Sequence, residues 1–324
     1  MALQRARPAL SAQPHPKKGK DVLSRWLLVT YAVEALLLLV LGESVMGQAI
    51  PIFDVVLGSC AVFLVFNACL TVVAHAILRR ASAPFAPAVH QGRTWRCELG
   101  ELLALFTLYV LIQPFERCWM GRETTARVAP GHLPILLVHG YLCNRGLWWW
   151  LRRHLRARQF SVATVNLEPP LAGLDRLVTQ LGERVETLLA QTGAKKVLLV
   201  SHSMGGLLCR AYVQGPGATR TAGLVTLATP HHGTQIARHG WGRNAREMQP
   251  DSAWLRSLNA RPAPPVPIAN IWSRDDEIVA PTDSCRLLGA AETTLHGLGH
   301  LAIVFSPTVL ACVEAQIARL ISAK

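Results

Sequence analysis

Apolar positions follow two regimes along the chain. Up to about residue 113 they come in long runs; from Leu133 onward they come in short runs separated by amphipathic stretches. The first long run, Trp26 to Met46, is interrupted by Glu34 and Glu43, and the second, Ile52 to Leu78, has Asp54 near its start. Each reaches the roughly 20 apolar residues that a bilayer-crossing helix needs. Gly47 to Pro51 supplies a short turn, so a two-helix transmembrane hairpin is predicted over 21–80. The first run is longer than the apolar core of a signal peptide and a second span follows at once, which argues for retention rather than cleavage. A third run, Glu98 to Gln113, is too short to span and suits an interfacial or buried helix within a linker over 81–132. Residues 1–20, polar, Pro-containing and basic, predict a disordered tail.

After Leu133 the texture is that of a layered α/β domain over 133–324. Ile135–Val138, Ser161–Val165, Val197–Val200, Gly223–Ala228, Ile268–Trp272 and Thr293–Leu295 are short apolar or strand-like runs. Helical patterns over Trp148–Arg158, Leu174–Gln191 and Met204–Gln214 lie between them. Strand and helix in alternation predict a mostly parallel sheet covered by helices on both faces.

Charge adds one constraint. The formal net charge is +13 while 51% of residues are hydrophobic. Arg is scattered around the apolar segments, and neither a zinc finger nor an RNP signature is present, so an anionic membrane surface accounts for the charge better than nucleic acid does. Lys17, Lys18, Lys20 and Arg25 precede the first span and Arg79 and Arg80 follow the second. The positive-inside rule then places both ends, and the domain that follows, on the cytoplasmic side of a bacterial-type cell membrane, unless Glu98–Gln113 inserts as a third span. Glu34 either faces the partner helix, sits near an interface or has a function within the membrane. The eight cysteines form no C-x-x-C pair and no zinc spacing; they are expected to be small buried hydrophobes, with no metal site and no cofactor.

The candidate chemistry begins where the strand at Lys196–Val200 runs into Ser201-His202-Ser203-Met204-Gly205-Gly206 and then into a helical pattern. A nucleophile elbow requires this strand–turn–helix context, with small residues two before and two after the nucleophile; Ser201 and Gly205 meet that demand around Ser203. The bland alternative is a helix N-cap. A tetrahedral intermediate needs two N–H donors, which Met204 and Tyr141, in His139-Gly140-Tyr141 after an earlier strand, would supply. The acid lies in Asp275-Asp276-Glu277, directly after a strand, and the base in Gly299-His300, with His296 as its neighbour and competitor. His231 and His232 either line the site or order their loop; Trp148, Trp149 and Trp150 are core on one side, with any exposed member shaping an acyl pocket.

Together these pieces resemble a known family. Leu133 to Leu320 is similar to the bacterial triacylglycerol lipase and esterase branch of the α/β-hydrolases, through His139-Gly140, Ser201–Gly206, Thr229-Pro230-His231-His232-Gly233-Thr234, Asp276-x-x-Val279-x-Pro281 and Gly299-His300, in that order. The resemblance implies an α/β-hydrolase fold and ester hydrolysis through an acyl-serine. It implies a triad of Ser203, Asp276 and His300 with Tyr141 and Met204 as the oxyanion hole. Val279 and Pro281 set the register to Asp276 rather than Asp275. Secreted relatives often hold a calcium near the histidine; Leu301-Ala302-Ile303-Val304-Phe305 offers no acidic ligand, so calcium is not carried over. A lid is expected over 234–265. The implied substrate is a lipid-like or small ester, with a thioesterase, an acyltransferase or an idle membrane-tethered binding module as alternatives. Because these motifs all lie after Leu133, a fragment starting near Arg127 is expected to fold and act on soluble esters.

Overall fold

The computed structural model describes residues 21–46, 52–85, 94–123 and 133–322. The expected tail over 1–20, the turn over 47–51 and part of the linker lie outside the described residues. Two long helices come first, α1 (Val22–Met46) and α2 (Ile52–Ser82). They pack on each other: Tyr31 meets Phe63 edge-on at 5.2 Å, and Asn67 Nδ2 donates to Glu34 Oε1 at 2.9 Å. Glu34 therefore faces the partner helix. Among the described residues one helix, Cys60–Ser82, is long and apolar enough to cross a membrane. The hairpin of two spans is thus supported over one span only.

Helix α3 (Trp95–Phe106) starts at Thr94, whose side chain accepts from Cys97 N, and continues as a π-turn over Thr107–Ile112. A short α4 (Glu116–Met120) follows. Six strands then form the sheet: β1 (Ile135–Val138), β2 (Val162–Thr164), β3 (Val197–His202), β4 (Thr221–Leu227), β5 (Ile268–Ser273) and β6 (Ala291–Leu295). Their order is β2-β1-β3-β4-β5-β6, and every neighbouring pair is parallel. Parallel neighbours require crossovers. Helices α5 (Trp149–Ala157), α6 (Leu174–Thr192) and α7 (Met204–Val213) supply three of them. Two short helices, α8 (Gly242–Glu247) and α9 (Ala253–Asn259), lie between β4 and β5, and α10 (Pro307–Ser322) closes the chain.

The strand pleat divides the core in two. Ile135, Leu137, Leu198, Val200, Val225 and Leu227 point to one face, where α5 and α10 pack. Leu136, Val138, Leu199 and Leu224 point to the other, against α6 and α7. With both faces buried, the central strands read as continuous apolar runs rather than alternating ones. The stripe of α6, Leu174, Leu177, Leu181, Val185 and Leu188, follows the helical period and is fully buried.

Two expectations need correcting. The boundary at residue 133 does not divide two packing units: Ala104, Leu108, Ile112 and Met120 belong to the same buried cluster as Ile135, Leu137 and Val200. One side of the run over 98–113 is thus part of this core, the buried alternative of the two expected, while Leu99, Leu103 and Leu111 on its other side are exposed. The cysteines are not uniformly buried either. Cys97, Cys143, Cys209 and Cys285 are, but Cys60 and Cys69 on α2 and Cys118 are exposed. On an apolar helix with exposed sides, a small apolar residue need not face protein.

Candidate active site

Strand β3 delivers Ser203 in a backbone conformation that L-residues rarely adopt, φ 53° and ψ −127°. Such a residue costs of order 1–3 kcal/mol and persists only where its surroundings fix it. Here Ser203 N donates to Leu227 O at 2.9 Å, and Gly206 N donates to Ser203 O at 2.9 Å. Gly205 is dictated by space: a Cβ there would stand 2.5 Å from Val138 O and 2.6 Å from His139 O. Ser201 is buried and its Oγ donates to Val225 O at 3.2 Å, which accommodates a hydroxyl where glycine would also fit. Gly140 lets the loop after β1 approach, since a Cβ at that position would meet Ser203 Cβ at 2.9 Å.

His300 and Asp276 are brought together from loops after β6 and β5. His300 Nδ1 lies 2.7 Å from Asp276 Oδ2, while Asp276 Oδ1 accepts from Ile278 N at 2.8 Å and Val279 N at 2.9 Å. Burial opposes charge on both groups. For Asp276, His300 and the two backbone N–H groups outweigh burial and hold the carboxyl below its usual range. For His300, Asp276 outweighs burial and holds the imidazole above its ordinary value. With Nδ1 donating to Asp276, Nε2 is left as the basic nitrogen. Asp275 points elsewhere: its Oδ2 accepts from Gly297 N at 2.6 Å, and His296, at 4.0 Å from the same oxygen, is exposed. Asp275 thus staples the loop that leads to His300.

Ser203, His300, Gly140 and Tyr141 line one cavity of about 280 Å³. Its apolar walls include Leu105 and the ring of Tyr109 from the α3 segment, and Leu78 from α2. Among the described residues, the backbone N–H groups of Tyr141 and Met204 donate to no protein acceptor. The Tyr141 hydroxyl donates to Trp241 O and accepts from Trp241 N, each at 2.8 Å, which ties the loop after β1 to the segment over 234–265. That segment is not a free flap: Ala237, Met248, Leu255 and Leu258 are buried in the core, and Trp241 stands exposed beside the cavity.

Other histidines have structural partners. His139 accepts from Leu167 N at 3.2 Å and bonds Gly140 O at 3.0 Å; burial pushes it down to about 4, so it is neutral. His231 is buried, with Arg210 Nη1 donating to its carbonyl at 3.2 Å; burial first, and then Arg210, keeps it neutral. Neither His231 nor His232 is among the lining residues, nor is any residue of Trp148–Trp150. Trp148 is core, and Trp149 packs edge-on to Trp119 at 4.9 Å. Reasoning from sequence assigned no role to His202 or Glu101. His202 Nε2 donates to the carbonyl of His300 at 2.9 Å, and burial with the adjacent His300 pushes its own titration down to about 3. Its place just before Ser203 was the available signal.

A family model described as alpha/beta hydrolase fold matches residues 134–274. The chain carries an α/β-hydrolase fold. The α/β-hydrolase region is also similar to triacylglycerol lipases of Pseudarthrobacter phenanthrenivorans and Burkholderia plantarii, each 33% identical over 112 residues, or 32% of this chain. Those matches span 35% and 31% of the relatives' lengths, so the chain covers about a third of each. Among solved structures, the mature lipase BlEst2 of Bacillus licheniformis aligns with a TM-score of 0.52 and 17% identity, covering 61% of this chain and 96% of that one. Lipase B of Aspergillus fumigatus aligns with a TM-score of 0.51 and 18% identity, over 56% of this chain and 52% of that one. These two likenesses speak for the α/β-hydrolase fold alone.

Proposed function

We propose that this α/β-hydrolase is a membrane-anchored serine hydrolase that cleaves carboxylic esters, a lipase or esterase, through an acyl-serine. The observation that carries the reading is the 2.7 Å Asp276–His300 bond, made in the cavity that Ser203 lines from a strained turn. Ser203, Asp276 and His300 follow one another in the chain order of this fold's triads. His300 Nε2 takes the Ser203 proton as the oxygen attacks the ester carbonyl, and Asp276 holds the tautomer and the resulting imidazolium. The Met204 and Tyr141 N–H groups receive the oxyanion. His300 then protonates the leaving alcohol, and water repeats the sequence on the acyl-enzyme.

The relatives named as triacylglycerol lipases support a lipid-like ester as substrate. So does the wall of Leu78, Leu105 and Tyr109, which suits an acyl chain and brings a residue of α2 to the site. The span Cys60–Ser82 supports anchoring in a membrane, and Arg79 and Arg80 at its end support a cytoplasmic-facing catalytic domain. Residues 234–265 act as the cover of the cavity.

The test is labelling by a fluorophosphonate, combined with hydrolysis of p-nitrophenyl esters of graded chain length and of thioesters with and without an acceptor alcohol. Ester cleavage and labelling that both vanish in Ser203→Ala are expected. Turnover retained in that variant would falsify the assignment, and transfer to the alcohol in preference to water would make the enzyme an acyltransferase.

A further inference from the structure

Helix α3 lies outside the matched residues 134–274, yet one of its side chains reaches the loop of His300. Glu101 is fully buried. Its Oε1 accepts from Leu301 N at 2.9 Å, and its Oε2 accepts from Ala302 N at 2.8 Å and from Leu301 N at 3.1 Å. The peptide unit between His300 and Leu301 is therefore gripped at both polar ends. His202 donates to its carbonyl oxygen, and Glu101 accepts from its N–H. The imidazole itself is held by Asp276. Three groups from three separate elements thus fix where the ring stands and how it is turned.

We propose that Glu101 is a positioning residue for His300, so that the helix before the hydrolase domain is part of its catalytic apparatus. This rests on the reading of His300 as general base. The environment of Glu101 fits that work better than that of an ordinary ion pair. It faces the carboxyl of Glu277, also fully buried and next in sequence to Asp276. Burial, and then the neighbouring Glu277, push Glu101 well above the usual carboxyl range. Both Glu101 oxygens accept from the backbone of the loop.

Glutamine keeps the shape of the Glu101 carboxyl and one of its acceptor oxygens. In Glu101→Gln the amide NH₂ donates to Glu277 and the carbonyl accepts from the Leu301 and Ala302 N–H groups. In Glu101→Ala those buried N–H groups lose their acceptor and the loop loses one of its grips. A shift of order 1 Å in a catalytic group costs about 100-fold in rate.

The experiment measures kcat and KM of the full-length protein on a short p-nitrophenyl ester, with thermal melts, for Glu101→Ala, Glu101→Gln, Glu101→Asp and Ser203→Ala. For Glu101→Ala, kcat is expected to fall about 100-fold with KM within about threefold, and Glu101→Gln to recover most of the loss. Glu101→Asp keeps a carboxyl but withdraws it by one methylene; if the alanine variant does not fold, the same loss of kcat in a folded Asp variant supports the proposal. A folded Ala or Asp variant with wild-type kcat overturns it, as does a Gln variant as impaired as Ala. Ser203→Ala separates the two levels. Turnover in that variant sinks the triad itself, whereas an inactive Ser203→Ala beside a healthy Glu101→Ala sinks only the positioning role.

Discussion

Helices α2 and α3 are both apolar runs ahead of the sheet, yet their apolar side chains go to different places. Along α2, Val62, Val65, Val72, Val73 and Ile77 are all more than half exposed. Along α3 and its π-turn one side, with Ala104, Leu108, Val110 and Ile112, is buried in the protein, while Leu99, Leu103 and Leu111 on the other are exposed. Hydropathy reports that a segment leaves water; it does not report which apolar phase receives it. The polar residues make the distinction. On α3, Glu101 bonds Leu301 N, and Gln113 Oε1, at the end of the π-turn, accepts from Asn144 N at 2.7 Å. A bilayer core offers no such partners. On α2 the buried polar residues turn to neighbouring helices, as Asn67 does to Glu34 and His75 to Glu98.

The strongest test of this contrast removes α3. A fragment beginning at residue 127 lacks Glu101, Leu108, Ile112 and Met120, and exposes the apolar surface they cover. Contrary to the expectation drawn from the position of the motifs, it should show no cooperative melt and no ester hydrolysis, because the shared core loses one wall, whereas a fragment beginning at residue 94 folds. Equal behaviour of the two fragments would return the domain boundary to residue 133 and end the distinction.

A second test asks whether the chemistry sits behind α3 and not on α2. Asp276→Asn is expected to lower turnover by about three to four orders of magnitude, since it misorients the base. Asp275→Asn should cost less than about tenfold, and Val73→Ala, on the exposed side of α2, should leave turnover at the wild-type level. Steady-state kinetics on a soluble ester decides; a crippled Asp275→Asn beside a healthy Asp276→Asn would move the acid by one residue.

Packing supplies a third test. Leu108→Ala opens a cavity in the shared core and is expected to cost about 2–5 kcal/mol of stability. Val73→Ala is expected to fall within about 0.5 kcal/mol, as for an exposed site outside the core. Denaturation in matched detergent compares them, and similar losses would mean that α2 is packed as tightly as α3.

The smallest effect lies in pH dependence. The base must be neutral to accept the Ser203 proton, and Asp276 raises the His300 pKa above its ordinary 6.5. The kcat/KM profile should therefore fall on the acid side with a midpoint above 6.5, as protonation removes the base. In Asp276→Asn the residual activity should have its acid limb at lower pH, because the favourable charge is gone; in Val73→Ala the limb should not move. An acid limb unaffected by Asp276→Asn would detach this carboxylate from the histidine.

Much of the sheet domain was legible. The six strand-like runs fall within two residues of β1 to β6; for β1 to β5 this is because buried parallel strands leave short, mostly apolar runs between amphipathic helices, whereas β6, half-exposed at the sheet edge, is an alternating Ala291-Glu292-Thr293-Thr294-Leu295. Ser203 could be singled out from its strand–turn–helix context and small neighbours, whereas Asp276 and His300 were chosen over Asp275 and His296 through the family resemblance, by Val279 and Pro281 after the acid and the glycines around the histidine. Tertiary contacts left no such mark. Glu101 binds N–H groups 200 and 201 residues away, and a glutamate at the start of an apolar helix looks the same whether it caps, solvates or clamps. Asp275 presented the same ambiguity until Gly297 was seen beside it.

The sequence by itself singled out Ser203, Asp276 and His300 as candidates, in that chain order, and determined that some 20 residues of α2 are apolar enough to span a membrane. Periodicity and short-range stereochemistry are written locally, and those features are local. Only the tertiary structure decided that α3 belongs to the core, that Leu78, Leu105 and Tyr109 wall the cavity, and that Glu101 and His202 grip the peptide beside His300. Each depends on two distant segments meeting at hydrogen-bonding distance or in van der Waals contact. Such a meeting is set by how the layers pack, and no spacing along the chain encodes it.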